Sequence, residues 1–149
     1  MNIQQRYFED VLVGEDLPPV ARVPNRVQLF MYSAISWNLH RIHYDQDQAM
    51  SEGHPTVLVH GPLQGAFLGQ YLTDWAAPEG RLKKIGWSNR GRALADQPYI
   101  LKGQVKAKRT VDGEDLVDCD IWSENEAGER LLVGSATVAL PFRPRESGQ

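Results

Sequence analysis

The chain is predicted to adopt an α+β fold in which one long helix is wrapped by an antiparallel sheet. Three observations predict it. A segment with helical period opens the chain, a helix that is apolar nearly all round follows, and everything after Gly80 reads as strands. At 149 residues the chain is expected to form one domain, 1–149, around one core.

Each element has its own warrant. Val27, Phe30, Met31, Ala34 and Ile35 fall on one helical face, and Asn25 with Gln28 fits a capping box, so a helix is predicted from about Arg26 to about Trp37. The stretch "NLHRIHYD" should follow as a loop. A short helix over Asp45–Ser51 comes next, stopped by Gly53. Pro62 suits a first helical turn, and Leu63, Ala66, Phe67, Leu68, Tyr71, Leu72 and Trp75 predict a buried helix. Gly65 and Gly69 would bare a strip on it for close approach of a sheet.

The strands show period two. Leu101, Gly103, Val105 and Ala107 alternate with Lys102, Gln104, Lys106 and Lys108. "TVDGED" turns the chain, and Val117, Cys119 and Ile121 alternate with Asp118 and Asp120. "NEAGE" turns it again before Leu132, Gly134, Ala136, Val138 and Leu140. That makes a meander of at least four strands. The "LPP" at 17–19 reads as an irregular segment, and the polar tail after Pro141 as frayed.

Composition narrows the function. Net charge is −3 with no basic run, which argues against a nucleic-acid surface. No apolar run approaches the ~20 residues of a membrane span, and "MNIQQRYFED" is too polar for a signal peptide. One cysteine, Cys119, permits no internal disulfide. A cytoplasmic protein is the expectation.

All four histidines, His40, His43, His54 and His60, lie in one short window. His43 follows a helix, and His60-Gly61 precedes another. A helix start offers free backbone N–H groups that can hold an oxyanion, and glycine lets a ligand approach them. A base beside such a hole suits proton transfer alpha to a carbonyl. His40, His43 and Asp45 match no zinc spacing, so no metal is expected; no cofactor is expected either.

These residues resemble a known family. "YSAISWNLHRIHYD" and "HGPLQGAFL" are similar to the MaoC-like (R)-specific enoyl-CoA hydratases and hydroxyacyl-thioester dehydratases. "YFEDVLVGEDLPP", "SNRGRALADQPYILKG" and "GSATVALP" extend the likeness over most of the chain. "NxHRIHYD" and "RGxxxLAD" look most like the mesaconyl-CoA hydratase and type 2 dehydratase branch. The resemblance implies a single hot-dog fold and reversible hydration of a 2-enoyl thioester, with coenzyme A part of the substrate.

The family's loop reads S-G-D-x-N-P-x-H-x-D, and here the frame runs from Ser36 to Asp45. The resemblance makes His43 the acid/base and the Gly61 N–H the oxyanion donor. It puts Asn38 where the family has its aspartate. An amide cannot titrate, so Asn38 could only hydrogen-bond the water or hydroxyl. Arg90 and Arg92 could meet phosphates of the thioester, and Arg41 an acid group on the substrate or a surface carboxylate. His60 is expected to hold the turn by hydrogen bonding, and His54 to be a solvated loop residue. Asp45 could orient a nearby group or cap the short helix.

Two other readings stand beside the hydratase. A thioesterase on the same scaffold would want a carboxylate on the long helix, and none occurs before Asp74. A non-catalytic partner subunit would account for Asn38. A homodimer is expected from the family, or a heteromer with another hot-dog chain.

Overall fold

The computed structural model describes residues 5–144. Five strands form one antiparallel sheet: β1 Asp16–Arg22, β2 Arg81–Asn89, β3 Tyr99–Val111, β4 Glu114–Asn125 and β5 Arg130–Ala139. Their spatial order is β1-β3-β4-β5-β2. Three helices are α1 Arg26–Ser36, α2 Gln46–Ser51 and α3 Gly61–Ala76. This is the predicted α+β layout, with α3 as the long helix that the sheet wraps.

Local chemistry sets the helix ends. Asn25 accepts from the Gln28 N–H at 2.9 Å and starts α1. Trp37 ends it with φ 56°. Asp45 caps α2 through the Gln48 N–H at 3.1 Å, and Gly53 follows at φ +81°. Pro62 lies in the first turn of α3.

The register of the sheet explains how α3 seats. Leu101, Ser123, Leu132 and Asn89 form one transverse row. Gly103, Ile121, Gly134 and Trp87 form the parallel row two residues along each strand. The Asn89 side chain lies against Gly61, and the Trp87 indole against Gly65. Four residues of helix climb about 6 Å and two residues of strand about 6.6 Å, so the two glycines match the two rows. Helix and strand therefore run antiparallel. Leu68, Leu72 and Ala76 continue that buried face into a core with Leu101, Val105, Val117, Ile121, Leu132 and Val138.

The sequence reading needs four corrections. Residues 17–19 are not irregular: they lie in β1, an edge strand whose register shifts between Leu17 and Val20. Prolines donate no ladder hydrogen bond, and an edge with a bulge tolerates them. Gly65 meets the Trp87 ring, whereas Gly69 has nothing within 4 Å of a built Cβ. Ala66, Gln70 and Thr73 are exposed, so α3 is not buried all round. Finally, the chain just past Pro141 is anchored. Pro141 C=O accepts from Phe8 N–H at 2.9 Å, and the Arg143 N–H donates to Glu9 at 2.8 Å. The last five residues of the tail lie outside the described residues.

The apolar stripe of α1 is a helical face, as read, but it points outward. Val27, Phe30, Met31 and Ile35 are exposed, and the buried residues are Leu29 and Ser33. Periodicity tells which residues share a face; it does not say what covers that face.

Candidate active site

Three chain segments meet at the start of α3. The loop after α1 closes in a 3-10 turn, Arg41–His43, that carries His43 inward. Leu58 N–H donates to Ile42 C=O at 3.0 Å and ties this turn to the segment before α3. Val57 and Val59 in that segment bond Ala95 and Ala93 beyond β2. The site is thus held by backbone pairing.

His43 is buried, and its Nδ1 lies 2.9 Å from Leu58 C=O. A carbonyl can only accept, so Nδ1 carries the proton and Nε2 keeps a free lone pair. Burial lowers the affinity of His43 for a second proton; the Leu58 bond opposes this, and His40 and His54 add to it. The ring is a neutral base near pH 7.

His60 is buried beside His43. Its side chain is hydrogen-bonded, but to α1 rather than to the turn, and it makes no cap bond to α3. Its Nε2 lies 2.8 Å from Ser33 Oγ on α1. Its ring stacks on His43 with centroids 3.8 Å apart and planes 21° apart. Tyr32 leans on it at 4.8 Å. His60 is fully buried, and burial together with His43 pushes its pKa down to about 4. Its Nδ1 has no hydrogen-bond partner among the described residues. Ser33 sits off the apolar stripe of α1, so no sequence signal pointed to it.

Gly61 begins α3, one peptide beyond His60. Because His60 turns to Ser33, the first N–H groups of the helix are left without a side-chain cap. His43 therefore stacks on the residue whose carbonyl carbon is joined to the Gly61 nitrogen. The Asn89 amide rests where a Cβ of residue 61 would be, 2.5 Å from it.

The other predicted residues fall in different places. Asn38 is half-buried beside the turn, and its Oδ1 lies 3.5 Å from the His40 N–H, a marginal contact. Arg41 Nε donates to Asp45 at 3.0 Å, so it pairs with the carboxylate that caps α2. The capping bond, then Arg41, holds the Asp45 carboxyl below its usual range. His54 is half-buried rather than solvated, 3.0 Å from Arg92 Nη1. Arg90 and Arg92 line a cleft of about 480 Å³ with Arg130, Gln97 and Asn125. That cleft opens where the chain leaves Asn89.

Two further features bear on chemistry. A groove of about 540 Å³ between α1 and α3 is lined by Val27, Met31, Tyr32, Ile35 and Leu63. Tyr32 joins it to the histidine pair. Cys119 is buried, its thiol pushed up to about 12, and is no nucleophile. Among the described residues, no three His, Cys, Asp or Glu side chains gather as a metal site, and no helix is long and apolar enough to cross a membrane.

Known proteins share this fold and stretches of this sequence. The hydroxyacyl-thioester dehydratase type 2 family pattern matches residues 17–94, just over half the chain. Mesaconyl-C(4)-CoA hydratase of Chloroflexus aurantiacus is 45% identical over 60 residues, 36% of this chain and 21% of that protein. The match thus spans about a fifth of that hydratase's length. The 3-oxo-4,17-pregnadiene-20-carboxyl-CoA hydratase beta subunit of Mycobacterium tuberculosis is 25% identical over 132 residues, 89% of this chain and 97% of that one. The ChsH1–ChsH2 complex from the same organism shares the fold, with a TM-score of 0.75 at 22% identity, covering 87% of this chain and 98% of that one. The chain belongs to the hydroxyacyl-thioester dehydratase type 2 family, among the MaoC-like hot-dog hydratases.

Proposed function

We propose that this chain adds water reversibly across the double bond of a 2-enoyl thioester, with coenzyme A as carrier. The observation that carries the reading is the His43 Nδ1–H bond to Leu58 C=O, which leaves Nε2 as the only free base atom of the ring. In hydration Nε2 takes a proton from water and the hydroxide adds to C3. The electron pair moves onto the thioester oxygen, where the Gly61 N–H meets it. C2 then takes a proton from His43 or through water, so one water is added in all. Dehydration runs the same steps backward. No cofactor is called for.

The cleft with Arg90 and Arg92 suits the phosphates of the carrier, and the Tyr32 groove suits an apolar acyl group. Arg41 is already paired with Asp45, which weakens its case as a contact for an acid group. The thioesterase alternative has little support: Asp74 is exposed near the far end of α3, and the buried polar residue near its start is Gln64, an amide.

A panel of enoyl-CoA and mesaconyl-CoA thioesters tests the proposal, read as loss of absorbance of the conjugated double bond. His43→Ala should lower turnover at least about a hundredfold. A near-normal rate would remove the mechanism.

Asn38 favours a second reading, that of a subunit supporting a catalytic sibling. The relative named above is a beta subunit, and the exposed α1 stripe and open β2 edge are surfaces that a second chain could cover. A flat response across the panel, with activity appearing only on addition of another hot-dog chain, would decide for it. The mass of the purified protein distinguishes a homodimer from a heteromer.

A further inference from the structure

We propose that His60, clamped by Ser33, is a positioning residue that fixes the plane of the His43 ring. The inference rests on the reading of His43 as the acid/base. A single hydrogen bond from Nδ1 to Leu58 C=O places one ring atom but lets the ring pivot about that bond. A parallel partner at 3.8 Å and 21° removes the pivot. Together the bond and the stack leave Nε2 one direction in which to meet water or substrate. A misplacement on the ångström scale at such an atom costs about a hundredfold in rate.

His60 is itself fixed from α1. Ser33 Oγ lies 2.8 Å from its Nε2, and Tyr32, one residue earlier, leans on its ring. The groove residues Val27, Met31 and Ile35 belong to the same helix. The arrangement also explains why His60 does not cap α3, leaving the helix start to the ligand. His40 stands edge-on to His43 at 6.1 Å and does not share this role: its own Nε2 turns to Glu52 at 3.3 Å.

The test separates stacking from hydrogen bonding. His60→Phe keeps an aromatic face, His60→Ala removes it, and Ser33→Ala removes only the clamp. Nitrogen-15 spectra of the histidine rings in the free protein report the His43 tautomer and its order. The wild type should show one Nδ1–H tautomer with sharp His43 ring signals, and His60→Ala the same tautomer with signals broadened by ring motion. With a turned-over enoyl-CoA, kcat should fall roughly 10–100-fold in His60→Ala, with KM within about threefold. His60→Phe, which keeps the face but also loses the Ser33 bond, and Ser33→Ala should each lose about 3–10-fold. Unchanged His43 spectra in both His60→Ala and Ser33→Ala would overturn the proposal. Should His60→Ala not fold, Ser33→Ala decides the matter: broadened His43 signals support the proposal, and unchanged ones overturn it. The spectra need no substrate, so they judge this inference even if the wild type turns over no thioester and the hydratase reading itself fails.

Discussion

Gly65 and Gly69 look equivalent in the sequence, yet alanine should act on them with opposite signs. A Cβ at residue 65 would stand 2.1–2.6 Å from three atoms of the Trp87 ring, so the indole must leave its seat. Trp87 is 39% exposed. Of the ~200 Å² an aromatic side chain of this size offers, about 120 Å² is then covered. At ~25 cal/mol per Å², full ejection costs about 3 kcal/mol. Replacing a helical glycine by alanine returns about 1 kcal/mol. The net loss is about 2 kcal/mol, or a Tm roughly 4–8 °C lower for a chain of this size. At residue 69 the added methyl meets nothing within 4 Å, so only the helical gain remains and Tm should rise by roughly 2–4 °C. Thermal unfolding followed by far-UV circular dichroism, with Trp87 fluorescence as a local probe, measures both. A Gly65→Ala protein as stable as wild type with unchanged fluorescence would refute the account of how α3 seats on β2.

Three further outcomes are expected. Stability should be full above pH ~6.5 and fall as pH drops toward 4: an unfolded chain takes the His60 proton near 6.5, the fold only near 4. The loss is about 3 kcal/mol, increased by His43, which shifts the same way. Denaturant titrations at several pH values should show most of this slope gone in His60→Phe. Gly61→Ala should fold normally, because the atoms nearest the added methyl belong to the exposed Asn89 amide, which can swing aside. Its hydration rate should still drop at least tenfold, through a methyl placed at the proposed oxyanion site; an unchanged kcat/KM would move that site elsewhere. Asn38→Asp restores a titratable group at the loop and should raise turnover about tenfold or more. A rate equal to wild type would put position 38 out of reach of the reacting atoms.

Much of the site was legible because its signals are local. Asn25, Asp45 and Pro62 mark helix starts through their own backbone chemistry, and the His60-Gly61 step marks a helix opening whatever packs on it. The alternation of β3 to β5 is a property of the pleat, and it gave the buried face from Leu101 to Val138. The His43 tautomer was not legible, since it depends on a carbonyl fifteen residues away. Nor was the role of Ser33, a small polar residue on a helix whose apolar stripe drew attention to the opposite face.

Sequence by itself thus determined the helices, the strands after Gly80 and the residue types brought to the loop and the helix start, because capping, turn chemistry and periodicity act over a few residues; it missed β1, whose prolines read as irregular. Tertiary structure alone decided that α1 turns Leu29 and Ser33 inward, that one of two matching glycines carries an indole, and that two histidines seventeen positions apart lie face to face. Those facts follow from register and packing between segments far apart in the chain, and no short-range pattern encodes them.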